Sequence, residues 1–179
     1  SGTSSKIEEI SLLNKENDPE SLELEERLIG INRVMRVRKG GRTPSFNALT
    51  AVGNREGLVG IGFASAKDVP SAIRKSMVDA KKNLVRIPLV DGTIPHQIVG
   101  YFKASKVVLR PARPGTGIVA GLATRVILEF AGVRNVLTKR IGSRNMKNTA
   151  EATMQGLKSL KRIEEVARLR GKTVEEIRG

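Results

Sequence analysis

The chain contains no cysteine and no tryptophan, and it has a single histidine, His96. Without thiols it can form no disulfide, no thiolate metal site and no cysteine nucleophile. A lone histidine without a carboxylate cluster has no partners with which to hold a metal, and no acid in the sequence is paired with it for proton transfer. Aromatic residues make up only 3% of the chain: Phe46, Phe63, Tyr101, Phe102 and Phe130. Phe46 and Phe63 fall in apolar stretches and read as core, so a base-stacking platform for single strands is not expected. No run of about 18 apolar residues exists to span a membrane, and no apolar signal-peptide segment is visible. Acids are sparse beyond residue 29 and form no Asp-x-Asp pair for magnesium, no Gly-x-Ser-x-Gly elbow and no recognisable carboxylate pair. The sequence therefore reads as non-enzymatic, with no cofactor, no metal and no small-molecule substrate.

What the chain has in excess is positive charge. Its 179 residues carry 32 Lys+Arg against 18 Asp+Glu, a net charge of +14. Residues 1–29 hold three cations and eight acids, net −5; the remainder holds 29 cations and ten acids, net +19. A folded body with that charge repels itself until a polyanion neutralises it. Nucleic acid is the expected partner, since phosphates attract cations regardless of base sequence. A membrane surface is disfavoured, because no basic amphipathic helix with a broad apolar face is present.

The charge is densest in Arg33-Val34-Met35-Arg36-Val37-Arg38-Lys39-Gly40-Gly41-Arg42. Leu28–Val37 and Ser45–Val52 on either side read as strands, so these cations lie on a loop projecting from a small sheet. Gly40 and Gly41 allow a tight turn and close approach to a partner, and cations off such a turn suit phosphate oxygens. Arg33, Arg36, Arg38, Lys39, Gly40, Gly41 and Arg42 are the candidate RNA-binding residues, with Arg55, Lys67, Arg74 and Lys81 as secondary phosphate contacts. The alternative is a solvated hairpin tip that serves solubility alone.

Residues 1–22 read as an acidic mobile extension ending near Asn17-Asp18-Pro19, and Glu20–Arg27 reads as a helical lead-in. Residues 23–84 form a first unit of three antiparallel strands and a helix. The third strand is glycine-bearing, Leu58–Phe63, after a Gly53–Gly57 turn. Asp68 is the expected N-cap of the helix, Pro70 fits its first turn, and Ile73, Met77, Ala80 and Leu84 mark its buried stripe. Residues 85–160 form a second unit. Its expected strands are Val85–Val90, Ile94–Phe102, Lys106–Arg110 and Val133–Ile141. One helix presents Leu122, Val126 and Phe130 on a single face, and another, from Met146 to about Leu160, aligns Thr153, Leu157 and Leu160. Residues 161–179 are a charged tail.

Pro114-Gly115-Thr116-Gly117-Ile118-Val119-Ala120-Gly121 precedes a helix, where amides and the helix dipole favour anions. It lacks the Gly-Lys-Ser/Thr of a Walker loop, and its glycine spacing and surroundings do not fit a dinucleotide fold. A tight packing turn, a protein or RNA contact, and a nucleotide site for a phosphotransfer enzyme remain open on the residues alone.

Taken in order, these segments resemble the small-subunit ribosomal protein five family in its bacterial and organellar form. In the first half the likeness lies in Arg33-Val34, Lys39–Arg42, Ser45-Phe46, Ala48-Leu49, Val52-Gly53, Val59–Phe63, Ala66-Lys67 and Val69-Pro70. In the second it lies in Gly92–His96, Leu109–Ala112, Pro114–Gly121, Val126–Glu129, Ala131–Val133, Asn135–Leu137 and Gly142-Ser143. It spans residues 23–179. The resemblance implies an α+β protein with a double-stranded-RNA-binding-like sheet-plus-helix domain and a C-terminal left-handed βαβ domain. It implies small-subunit rRNA as partner, a position near the channel where mRNA enters, and neighbouring small-subunit proteins three, four and eight. It also implies a contribution to translational accuracy. The Val34–Arg42 loop would reach RNA, and Arg113, Pro114, Gly115, Thr116 and Gly117 would lie at a protein interface. Pro44 departs from the family pattern and predicts a strand starting one or two residues later. The acidic leader and the absence of an initiator methionine lean toward an organellar ribosome, plastid before mitochondrion, over the bacterial cytoplasm.

Overall fold

A computed structural model describes residues 23–161 and residue 171. The expected mobile extension 1–22 and almost all of the charged tail lie outside the described residues. Two four-stranded sheets make up the framework. The first contains β1 (Glu25–Arg38), β2 (Gly41–Gly53), β3 (Leu58–Ala66) and β4 (Val85–Arg86) in that order, all antiparallel, with α1 (Val69–Lys82) packed on it. The second contains β5 (Ile98–Phe102), β6 (Ser105–Pro111), β7 (Ile118–Val119) and β8 (Val136–Gly142), in the order β5-β6-β8-β7. Within it β7 and β8 run parallel and are joined through α2 (Leu122–Ala131), while α3 (Met146–Lys158) packs against β5 and β6. The α+β class and the sheet-plus-helix first unit are as expected.

Several boundaries differ from the sequence expectation. Glu25–Arg27 are strand, not helix, because they pair with Ala51–Gly53. Val85 and Arg86 pair with Val59 and Leu58, so they close the first sheet instead of opening the second. Strand β5 begins only at Ile98, and β8 only at Val136. Pro44 does not delay β2. The β3 partner of β2 ends at the Phe46–Ala66 pair, so at Pro44 one edge of the strand is open and the missing N–H costs no ladder bond there.

Helix α1 starts as its sequence predicts: the Asp68 carboxylate accepts a 3.0 Å hydrogen bond from the Ser71 N–H, and Pro70 sits in the first turn. Its buried stripe is different. Ala72, Ser76 and Ala80 are the fully buried residues, whereas Ile73 and Met77 are half-buried. The cause lies on β3. A Cβ on Gly62 would stand 1.9 Å from the Ser76 carbonyl oxygen, and one on Gly60 would stand 2.5 Å from that of Ala80. Helix and strand meet backbone to backbone, and only small side chains fit between them. The Thr50 and Ser76 hydroxyls share a buried 2.6 Å hydrogen bond there. In α2, Val126 and Phe130 are buried as expected, but Leu122 is exposed. It is the helix's first residue, next to the short edge strand β7. In α3, Thr153 and Leu157 are buried as the spacing predicts, and Leu160 is buried just beyond the helix, which ends at Lys158, short of the expected Leu160.

The two units are not separate bodies. One apolar cluster joins Leu49, Ala51, Val59 and Ile61 of the first sheet to Leu109, Ile127, Phe130 and Leu157 of the second unit. The β2–β3 turn caps α2: the Arg55 N–H donates to the Phe130 carbonyl (2.9 Å) and the Gly57 N–H to that of Ala131 (2.8 Å). These are carbonyls that a helix C-terminus leaves without partners of its own. Lys147 of α3 lies over the Phe63 ring of β3 at 4.6 Å, a second bridge between units.

Arg55 locks the same joint through its side chain. Its guanidinium lies 2.8 Å from Glu25 and 3.3 Å from Glu129, and 5.1 Å from the centre of the Phe130 ring. The Arg55 hydrogen bond, aided by its charge, holds the Glu25 carboxyl below its ordinary value of 4.5. A depressed carboxyl stabilises the fold above its unfolded-state value, and that stabilisation disappears as pH falls through the folded one. Arg55→Ala is therefore expected to melt below the wild type near pH 7, with the gap narrowing as pH drops below about 4.5. Parallel thermal melts from pH 7 to 3 check this; a gap independent of pH would assign the loss to the Phe130 contact instead.

Candidate nucleic-acid interface

The basic segment is not a loop. Strands β1 and β2 stay paired from Val34–Ser45 out to Arg38–Gly41, leaving only Lys39 and Gly40 as the turn. Gly41, with φ of +129°, takes the conformation that side chains disfavour. Since β3 stops opposite Phe46, everything beyond is a two-stranded arm reaching out from the sheet. Strand alternation sorts its side chains. Arg33, Met35 and Val37 share one side with Phe46, Pro44 and Arg42; Val34 and Arg36 share the other with Ser45 and Thr43. Arg33, Arg36, Lys39, Gly40, Gly41 and Arg42 are all exposed, and no carboxylate lies among them. Arg38 belongs to the arm through its backbone pairing with Gly41.

At the base of the arm the structure gathers residues that are distant in sequence. A groove of about 460 Å³ runs between the arm and the start of α1, lined by Arg36, Thr43, Ser45, Lys67, Ser71 and Lys75, with Asp68 at its wall. Lys67 thus joins Arg36, as part of one basic groove. Lys75, Thr43 and Ser71 were missed from sequence. The available signal was helical spacing: Lys75 lies one turn beyond Ser71, the residue that closes the N-cap. The Ser71 N–H holds the Asp68 carboxyl below its ordinary range, so the groove keeps one negative charge at neutral pH. Arg74 is exposed on the neighbouring face and donates to the Ser71 hydroxyl at 3.3 Å.

Two of the secondary candidates lie elsewhere. Lys81 is paired with Glu26 and Arg55 with Glu25 and Glu129, so both cations already have carboxylate partners within the fold. Arg113, Pro114, Gly115 and Thr116 are exposed and Gly117 is half-buried, at the far end of the second sheet. The Gly115 and Gly117 amides both donate to the Asn135 side-chain oxygen at 3.0 Å. With φ of +92° and +75°, these glycines turn their N–H groups inward. A phosphate cradle needs those amides free, so the nucleotide-site alternative loses its anion-binding geometry. His96 is structural: Nδ1 lies 2.9 Å from the Gln97 carbonyl oxygen, and Nε2 accepts from the Lys161 N–H. Among the described residues no three His, Asp or Glu side chains are grouped to hold a metal, and no helix is long and apolar enough to cross a membrane.

The geometry defines a class: a basic, two-unit α+β protein with a projecting cationic arm and no catalytic centre among its described residues. Comparison with known proteins sharpens it. The family model for ribosomal protein S5, N-terminal domain, matches residues 24–88, and that for its C-terminal domain matches residues 100–170. Small ribosomal subunit protein uS5 of Thermotoga neapolitana is 50% identical over 155 residues, 87% of each chain. The proteins of the same name from Thermotoga petrophila and Thermotoga maritima are 51% and 50% identical over the same lengths. The chain belongs to the ribosomal protein S5 family, whose members are structural, non-enzymatic components of the ribosome.

Proposed function

We propose that this chain is an integral structural component of the small ribosomal subunit that binds rRNA through the β1–β2 arm and the groove at its base. The observation that carries the proposal is the arm itself. Arg36, Lys39 and Arg42 project beyond the sheet and Arg33 stands at its last rung, with no acid among them and no role in the core. Side chains on both of its sides suit an RNA cleft better than a flat surface. Lys67, Arg74 and Lys75 continue the positive surface onto α1. Few exposed aromatics and many cations favour recognition of folded RNA by shape and backbone. The position beside the mRNA path, the contribution to accuracy, the neighbours three, four and eight, and the Arg113–Gly117 interface all extend the same proposal. Kinship with bacterial relatives favours a bacterial ribosome over the organellar one expected from the sequence. A free double-stranded-RNA module is less favoured, because the first sheet shares its core with the second unit.

Sucrose-gradient sedimentation of a native extract at two salt concentrations tests this. The chain is expected to travel with the small subunit and to stay there at moderate salt. A chain that remained at the top of the gradient at both salts would overturn the proposal.

The N-cap gives a finer prediction. Asp68→Asn keeps a side-chain oxygen for the Ser71 N–H and removes the groove's negative charge, so RNA affinity should rise with little change in stability. Asp68→Ala also removes the cap and should speed amide exchange in the first turn of α1. Filter binding to purified small-subunit rRNA, with hydrogen exchange alongside, separates the two effects. Equal affinity for wild type and Asp68→Asn would show that RNA does not enter the groove.

A further inference from the structure

A cavity of about 750 Å³ opens where the two units meet, between the β2–β3 turn, α2 and the turn at Gly92. Arg55, Arg125 and Arg134 stand around it with Glu129, beside an apolar wall that includes Leu89 and Val133. Glu129 is already engaged by Arg27 and Arg55, and Arg55 also holds Glu25. Arg125 and Arg134 are exposed and make no ion pair among the described residues. Arg134 is nonetheless held in place. Its backbone N–H donates to the Gly92 carbonyl oxygen at 2.7 Å, and its guanidinium lies against Gly92, where an added Cβ would stand 2.6 Å from Nε. The cavity therefore presents two cations whose charge nothing described neutralises.

We infer that this cavity is the docking site of the chain's own acidic leader, with Asp18 and Glu20 seated against Arg125 and Arg134. The chain enters the described fold at the cavity's rim: Glu25, in the first rung of β1, lies 2.8 Å from Arg55, a lining residue. Residues 1–22 hold five acids and two cations, net −3. Asp18 precedes Glu25 by seven residues, which span up to about 23 Å when extended. The proline that follows Asp18 disfavours helix there, and in an extended segment residues two apart share a side. Asp18 and Glu20 then offer two carboxylates to two guanidinium groups, and Leu22, on that same side, meets the apolar wall. The tether supplies an effective concentration of about millimolar order, which no free anion or second copy receives. RNA fits poorly, because Glu23, Glu25 and Glu129 at or near this rim repel a phosphate backbone. The tip of the basic arm lies at the opposite end of β1, thirteen residues away or about 43 Å. Docking here keeps these acids off the arm's cations, and it stands or falls independently of what the arm binds.

The chain has no cysteine, so Asn17→Cys gives a single point for attaching a nitroxide to the full-length protein. The amide resonances of Gly92, Arg125 and Arg134 are expected to lose most of their intensity through proximity to the spin. Arg125→Glu with Arg134→Glu should restore them. Asp18→Lys with Glu20→Lys, which alters nothing in the described fold, should restore them too. All four substitutions together should quench them again, because the charges have changed places. Quenching that survives either pair would reduce the proximity to the tether alone and overturn the inference. Intact resonances in the labelled chain, or no return of quenching in the charge-exchanged one, would also overturn it. Mixing the nitroxide chain with an isotope-labelled, nitroxide-free chain tests the second copy: quenching between molecules would refute docking within one chain. A short RNA duplex that restored the cavity's resonances would assign the arginines to RNA and sink the inference.

Discussion

Replacing Gly62 with alanine is expected to destabilise the protein by about 3 kcal/mol, the upper part of the range for overpacking a filled interior. The added methyl would lie 1.9 Å from the Ser76 carbonyl oxygen and 2.3 Å from the Ala80 nitrogen. Both atoms are backbone, so no rotamer change relieves the clash. Either α1 lifts off β3 or the strand bends. Lifting the helix separates the Thr50 and Ser76 hydroxyls, which are buried and hydrogen-bonded to each other. For a chain of this length the midpoint of thermal unfolding should fall by about 6–12 °C. Ser76→Gly cannot rescue it, because the obstructing atom belongs to the main chain. Gly40→Ala is the control: a Cβ there meets nothing within 4 Å, so its midpoint should stay within a few degrees of the wild type. Equal midpoints for Gly62→Ala and wild type would refute the backbone-to-backbone packing of α1 on β3.

The second large effect is electrostatic. Lys39→Ala with Arg42→Ala removes two exposed cations from the arm without touching the core. If each neutralises a phosphate, the slope of log affinity against log salt for purified small-subunit rRNA should become shallower by about two units. Stability should not change, since the arm extends beyond the last β2–β3 pair. Arg36→Ala probes the other side of the arm: a loss like that of Arg42→Ala means RNA embraces both sides, whereas a null effect means it lies on one. Binding lines parallel to the wild type in the double variant would remove the arm from the RNA site.

The candidate site and the joint between units differ in how visible they were beforehand. Cation density at Arg33–Arg42 is a composition signal, and exposed residues owe little to their neighbours, so the cationic segment was legible, though as a loop. What was invisible is that β1 and β2 stay paired to the tip and divide the cations between two sides. Pairing depends on a partner strand, and nothing local to Arg38–Pro44 shows that it continues to the tip. Lys75 escaped because the groove forms only when the N-terminus of α1 comes up against the arm. Arg55 looked like a phosphate contact because sequence shows its charge and hides Glu25 and Glu129, which lie 30 and 74 residues away along the chain.

The sequence by itself determined the polyanion-seeking charge, the absence of thiol chemistry, the strand–strand–strand–helix order of the first unit, and the cap that starts α1. Each follows from local chemistry: charge is additive, and caps and turns involve residues a few positions apart. Only the tertiary structure decided that small residues form the buried stripe of α1, because that depends on glycines in another element. It also decided that β4 closes the first sheet, and that Asn135 turns the Gly115 and Gly117 amides inward. It made one core of two units, because the β2–β3 turn supplies the hydrogen bonds that end α2. Those contacts join residues far apart in sequence, and no local preference encodes them.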